Sequence, residues 1–297
     1  MTQVPARTAA IAGLSAVAER YDLLLCDIWG VLHDGEKSFP EAREALRRFR
    51  RGGGTVALIT NAPRPFGEIA DQLAEFGVEP DCHDCIATSG DATLALIAAQ
   101  GGGRALHLGP ARDRVLFEAA RRADPATAPT LAPLAQADFV VCTGLDEDEV
   151  ETVGDYAGRL AQMRARDLQM ICANPDLWVH RGERLIPCAG ALAAEYEKLG
   201  GRTLLAGKPH APIYELAVAE AERARRGTVA RSRILAVGDG LHTDMAGAAR
   251  QGFDALLVAG GLHRDELTVD GEIGPGAAAR LAAAGVAPKL AIARLVW

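Results

Sequence analysis

The sequence predicts an α/β fold: a doubly wound parallel sheet interrupted by an inserted α/β domain. Three observations carry that prediction. Short, fully apolar runs alternate with helical patterns along most of the 297 residues, and strands apolar on both faces require helices on both sides of a parallel sheet. Asp27, Thr60 and Asp239 each end or closely follow such a run, where an open parallel sheet receives its ligands. The alternation also repeats by itself in the middle of the chain, over roughly a hundred residues, a usual domain size.

The elements follow in order. Residues 23–26, 56–59, 234–237 and 255–258 read as buried strands, with helices at 40–51, 67–76, 211–225 and 245–251. In the middle segment, 105–108, 139–142 and 169–172 read as strands, and 112–122 and 147–166 as helices. The acidic run 146–151 is expected to open the second of these helices, where negative charge suits the dipole. Residues 8–17 are small and apolar, but they lack the strongly basic start of a signal peptide, and Glu19, Arg20 and Asp22 follow at once. An amphipathic first helix is expected there. Residues 287–290 are expected to turn into a closing edge strand or helix.

Composition narrows the partners. A net charge of −7 provides no basic stripe for nucleic acid. The arginine clusters at 43–51 and 223–233 sit on alanine-rich helical patterns and read as solvated helix faces. No run of eighteen apolar residues occurs, so no membrane span is expected. Six scattered cysteines suit a reducing cytosol, hence a cytoplasmic chain. Cys82 and Cys85 form a C-x-x-C, yet no second pair follows at zinc-ribbon spacing, and the segment is not a thioredoxin-like strand-to-helix turn.

Three separated clusters carry chemistry. Asp27-Ile28-Trp29-Gly30-Val31-Leu32 ends the first strand, and a carboxylate held there by a tight turn can act as a covalent nucleophile. Asp before Gly is also ordinary turn chemistry. Thr60-Asn61 ends the next strand, where a hydroxyl and backbone N–H groups can cradle phosphate, although a helix cap before Pro63 would look the same. Gly238-Asp239-Gly240-Leu241-His242-Thr243-Asp244, with Gly207-Lys208-Pro209 upstream, places two acids on a glycine-bearing loop suited to a hard cation. Asp244 would serve equally as a helix N-cap; Asp239 has no such structural role.

The types converge for a reason. A phosphate approached by a carboxylate sets like charges about 3–4 Å apart, costing several kcal/mol at an effective dielectric near 20. Mg²⁺ and a lysine together offset that repulsion and stabilise the transferring phosphoryl group.

The ordered set D-x-x-G-V-L, T-N, G-K-P and G-D-x-x-x-x-D resembles the haloacid dehalogenase-like superfamily. The long insert between Asn61 and Lys208, with Thr88-Ser89-Gly90 near its start and Asn174-Pro175-Asp176 near its end, is similar to class IIA, the NagD-like and 4-nitrophenylphosphatase-like branch. The resemblance implies a Rossmann-like core, residues 1–88 and 188–297, around an α/β cap of C2 type at 89–187. It further implies a Mg²⁺-dependent phosphohydrolase of a small phosphorylated metabolite such as a sugar phosphate, working through an aspartyl phosphate. Asp27 would be nucleophile and metal ligand, with the Trp29 carbonyl and Asp239 as further ligands. Asp244 would hold a metal-bound water or position the loop. Thr60 and the Asn61 N–H would bind phosphate, Lys208 would bridge phosphate and nucleophile, and Asn174 and Asp176 in the cap would contact substrate. Cap-to-cap homodimers occur among chains of this kind.

One position departs from the pattern. Phosphatase members carry a second Asp two residues after the nucleophile, as general acid and base; here it is Trp29. An indole N–H only donates a hydrogen bond, and the missing acid is worth ~10²–10⁴ in rate. The sequence therefore leaves open a slow phosphatase, one acting on acyl or aryl phosphates, one using His33, His210 or His242 instead, or a phosphometabolite-binding protein without turnover. A metal-independent 2-haloacid dehalogenase is the remaining alternative, and Asp239 and Asp244 argue against it.

Overall fold

A computed structural model of the chain describes residues 8–181 and 184–297. In chain order its elements are β1 (Ala9–Ala10), β2 (Leu23–Asp27), α1 (Pro40–Arg51), β3 (Thr55–Thr60), α2 (Phe66–Glu75), β4 (Cys85–Thr88), α3 (Ser89–Ala98), β5 (Arg104–Leu108), α4 (Val115–Ala123), β6 (Thr130–Leu131), β7 (Phe139–Cys142), α5 (Ala157–Ala165) and β8 (Gln169–Cys172). There follow β9 (Trp178–Arg181), β10 (Arg184–Pro187), α6 (Ala189–Lys198), β11 (Arg202–Leu205), α7 (Ala211–Arg225), β12 (Ile234–Gly238), α8 (Ala246–Gln251), β13 (Asp254–Val258), α9 (Arg264–Leu267), β14 (Thr268–Val269), β15 (Glu272–Ile273), α10 (Ala277–Ala283) and β16 (Leu290–Ile292).

Two sheets organise the chain. The larger has seven strands in the order β1-β16-β13-β12-β2-β3-β4, with β2 paired in parallel to β12 on one side and β3 on the other. Every residue of β2 and β12 is buried, as the apolar runs require of central strands. The second sheet, in the order β11-β8-β7-β5-β6, is parallel throughout, and an antiparallel hairpin β9–β10 accompanies it. The chain divides into two compact units. One holds the described chain up to Thr60, Ala70–Ala87 and Lys208–Trp297; the other holds Asn61–Ile69 and Thr88–Gly207. The α/β fold with a parallel sheet is as the sequence predicts.

Several local expectations need correction. Residues 8–17 form no helix: Ala9–Ala10 is an edge strand on β16, and Leu14–Ala16 is a 3-10 turn. The Ala9 and Ile11 N–H groups donate to Lys289 and Ala291 carbonyls, and Gly13, just before the 3-10 turn, is fully extended, its α-carbon tight against the Trp297 carbonyl. Sheet pairing overrides the helical pattern. Strand β16 does form at 290–292, but β1 takes the outer position. The acidic run 146–151 does not open a helix. The Glu147 N–H turns back onto the Glu151 carboxylate, 2.8 Å away, and helix entry waits for the Thr152–Asp155 capping box.

The helix α1 shows why the local pattern succeeds elsewhere. Pro40 starts it, and Ala42, Ala45, Leu46 and Phe49 bury one face at helical spacing. Of its arginines, Arg48 and Arg51 are solvated as expected, whereas Arg47 pairs with Asp81 and Arg50 with Asp84 and both are shielded. Those acids flank Cys82, fully buried, while Cys85 opens β4. The C-x-x-C is therefore part of a packed turn, and all six cysteines are free thiols.

Candidate active site

Asp27 is the last residue of β2, in register with Ile59 of β3. The strand ends in a tight turn: Gly30 donates its N–H to the His33 carbonyl at 2.8 Å, and Leu32 donates to Ile28 at 2.8 Å. Gly30 adopts φ +78, and a Cβ there would run into Asp239 Oδ2. Only glycine allows the turn to pass so close to a second carboxylate. Asp27 is anchored through Oδ1, which accepts from the Ile28 N–H at 2.8 Å and from Lys208 Nζ at 2.6 Å. The other oxygen is left for chemistry.

Lys208 also donates to Asp244 Oδ1 at 2.8 Å, so one buried ammonium bridges two buried carboxylates. Asp244 is not an N-cap. It lies within a π turn, Leu241–Met245, where its Oδ2 accepts from the Gly240 N–H at 3.1 Å and from Thr243 Oγ1 at 3.3 Å. Asp239 follows β12 directly, and its Oδ2 accepts the Leu262 N–H at 2.7 Å. A Cβ on the adjoining Gly261 would strike this carboxylate. The loop after β13 is thus a part of the site that the sequence reading missed. Its signal was Gly260-Gly261 directly beyond an apolar strand.

The carboxylate oxygens of Asp27, Asp239 and Asp244 lie within 4.8 Å of one another, and all three residues are buried. Three carboxylates against one ammonium leave two negative charges uncompensated. Burial, then the charge of Asp244, pushes the Asp239 carboxyl up to about 7. The same causes raise Asp27 well above the ordinary carboxylate range, against the pull of Lys208. Burial opposes the charge on Lys208, but Asp244 and Asp27 outweigh it and hold the ammonium firmly protonated. Such an all-oxygen, charge-deficient set fits a divalent hard cation.

Trp29 sits in the turn, 44% exposed, its indole lying over Gly35 and edge-on to the His33 ring at 5.2 Å. His33 is buried, and its Nδ1 accepts the Gly35 N–H at 3.0 Å. Burial pushes its pKa down to about 4. Fixed and neutral, His33 is no general acid, which removes one of the three histidine candidates. His242 is exposed on the π turn, and His210 precedes α7.

Thr60 closes β3 half-buried, and Asn61 after it is buried. Within the second compact unit, Asn61 Nδ2 donates to Asp176 Oδ1 at 2.9 Å, and the Asp176 N–H donates to Asn174 Oδ1 at 3.0 Å. Gly207 lets the chain pass against Asn61, Pro175 and the Ser89 hydroxyl. The sequence-predicted residues thus form two groups: Asp27, Lys208, Asp239 and Asp244 in one unit, and Asn61, Asn174 and Asp176 in the other.

The chain can be compared with known proteins on this geometry. A model described as haloacid dehalogenase-like hydrolase matches residues 24–121, and a second, HAD-hydrolase-like, matches 205–285. Ribonucleotide monophosphatase NagD of Escherichia coli K12 is 30% identical over 244 residues, covering 80% of this chain and 88% of NagD. This chain belongs to the haloacid dehalogenase-like hydrolases. It falls in their class IIA, the NagD-like branch, and is a phosphoric monoester hydrolase. A crystal structure of a haloacid dehalogenase-like family hydrolase from Brucella suis 1330 is 45% identical with a TM-score of 0.84, covering 96% of this chain and 100% of that one. Glycerol phosphate phosphatase from Mycobacterium tuberculosis, solved in complex with calcium, is 26% identical with a TM-score of 0.63, covering 83% of this chain and 68% of that one. No helix among the described residues is long and apolar enough to cross a membrane.

Proposed function

We propose that this chain is a Mg²⁺-dependent phosphohydrolase of a small phosphorylated metabolite, of sugar-phosphate size, in which Asp27 becomes transiently phosphorylated. The observation that carries this reading is the buried bridge from Lys208 to Asp27 and Asp244, 2.6 and 2.8 Å long. It anchors one oxygen of a carboxylate at the end of the central strand and sets a fixed positive charge beside it. Lys208 offsets the repulsion between Asp27 and an incoming phosphate and stabilises charge on the transferring group. Asp27, Asp239 and the Trp29 carbonyl would hold the cation, with Asp244 positioning the loop; the cation supplies further charge neutralisation at phosphorus. Thr60 and the Asn61 N–H would bind the phosphate oxygens. Asn174 and Asp176 belong to the proposed cap and would contact the rest of the substrate. The relatives support phosphate hydrolysis on small molecules as a reaction: one is named a ribonucleotide monophosphatase and another a D-glycerol 3-phosphate phosphatase.

The test is phosphate release across a panel of phosphorylated metabolites with Mg²⁺ and with chelator. Turnover that requires Mg²⁺ and is abolished by Asp27→Asn supports the reading. Turnover that survives Asp27→Asn overturns it.

A further inference from the structure

We propose that this enzyme is selective for aryl and acyl phosphates, whose leaving groups depart as stable anions, because the turn that follows the nucleophile presents a packed indole and an enclosed imidazole instead of a proton donor. This rests on Asp27 being the nucleophile. The groups fixed around Asp27 bear it out. Lys208 donates to two carboxylates at 2.6 and 2.8 Å. Asp239 and Asp244 complete an oxygen set that fits a cation. Tyr214, 1% exposed, directs its hydroxyl to the Thr243 carbonyl at 3.4 Å.

The turn after β2 provides no proton donor. At position 29 stands an indole, a hydrogen-bond donor without acid–base function. It is packed on Gly35, whose Cβ would lie 2.5 Å from the ring, and is edge-on to His33. His33 has the Trp29 and Phe76 rings against it at 5.2 and 4.9 Å, and its Nδ1 is occupied by the Gly35 N–H.

In the first step an Asp27 oxygen forms a bond to phosphorus and the bond from phosphorus to the leaving oxygen breaks. The electron pair stays on that oxygen, which leaves as a phenolate or carboxylate. In the second, water adds to phosphorus, the phosphorus–Asp27 bond breaks, and the products are the Asp27 carboxylate and dihydrogen phosphate, which keeps both water protons. Neither step takes a proton from the enzyme. Phenols and carboxylic acids ionise near pKa ~10 and ~4, whereas an alkoxide resembles hydroxide, whose parent water has pKa about 16. Alkyl phosphates therefore bear the whole cost of the missing acid, ~10²–10⁴ in rate.

The experiment compares kcat/KM with Mg²⁺ for p-nitrophenyl, phenyl, acetyl and glycerol phosphates in the wild type, Trp29→Asp, Trp29→Phe and Asp27→Asn. The wild type should prefer the aryl and acyl substrates over glycerol phosphate by ~10²-fold or more. Trp29→Asp should shrink that ratio by a similar factor by raising the alkyl rate, while Trp29→Phe keeps it. If Trp29→Asp does not fold, substituted phenyl phosphates decide the matter on the wild type, where rate should fall steeply with leaving-group pKa. A flat series, or glycerol phosphate turned over as fast as p-nitrophenyl phosphate, overturns the selectivity while leaving the phosphohydrolase intact. Turnover surviving Asp27→Asn overturns the nucleophile and the selectivity together.

Discussion

Lys208 Nζ and Asp27 Oδ1 stand 2.6 Å apart, with 4% and 9% of their side chains exposed. Exposed pairs such as Lys289–Asp254 are equally short; burial is what sets this pair apart and decides what removing either partner would do. Truncating one partner of a buried ion pair costs about 3–5 kcal/mol, because the other charge is left unpaired. Lys208→Met should therefore lower stability by that amount in urea unfolding with chelator present. It should also reduce kcat by ~10²–10³ or more, as expected for losing a fixed charge at the reacting group. Lys208→Arg should not restore activity, since a planar guanidinium cannot replace a point charge between two carboxylates.

The buried acids make stability depend on pH and metal. The Asp239 carboxyl sits at about 7 and Asp27 is also raised, against unfolded values near 4. Their contribution is complete below pH ~4 and is lost as pH rises toward 7, where the folded chain retains protons the unfolded chain has released. In EDTA, Tm should fall between pH 5 and 8. Mg²⁺ should raise Tm more at pH 8 than at pH 5, where protons compete for the same oxygens. Asp239→Asn should be more stable than the wild type at pH 8 in EDTA and respond weakly to Mg²⁺ in scanning calorimetry.

Gly30 and Gly261 press against Asp239 from two sides. Alanine at either would displace that carboxylate, and at Gly30 the positive φ adds about 1 kcal/mol of strain. Either variant should weaken Mg²⁺ binding by ~10–100-fold, as loss of a ligand's support does elsewhere. Metal titration followed by calorimetry checks it.

The bond from Asn61 to Asp176 holds two predicted substrate-facing residues together. Asp176 is half-buried, so the coupling should be about 1 kcal/mol. In a double-mutant cycle of Asn61→Ala and Asp176→Ala, the second change should cost less in kcat/KM once the first is made. The effect should fall more on KM than on kcat.

Residues fully committed to the core were legible. In β2, β3, β12 and β13, apolar side chains on both faces announce a central strand before any contact is known. Asp27 and Asp239 were legible as exceptions to those runs, and Lys208 through its Gly207-Lys208-Pro209 motif. The edges were not. β6 is two exposed residues, and β11 is half-buried, so neither carries a pattern strong enough to separate strand from loop. The β1 segment even suggested the wrong element, because its pairing with β16 joins residues 9 and 290 and no local window contains both. The same distance hid Gly261 and the Leu262 N–H from the site, since their role exists only beside Asp239. Trp29 is the converse case: the sequence showed that an acid was missing, and the packing of Gly35 and His33 showed that the neighbouring imidazole does not replace it.

The pairing of β2 with β12 bears on how the protein is made. Leu23 lies beside Ile234, so the central strand leaves the ribosome some two hundred residues before the neighbour that completes it. Strands β5 to β11, by contrast, come from one continuous stretch, Arg104–Leu205. On a chain synthesised from its N-terminus, the inserted unit holds all its partners first, while β2 waits with one flank unpaired. Asp27, the proposed nucleophile, ends that waiting strand. Its lysine, second carboxylate and third all lie beyond residue 207, so the nascent chain carries no assembled carboxylate–lysine cluster until Asp244 has been made.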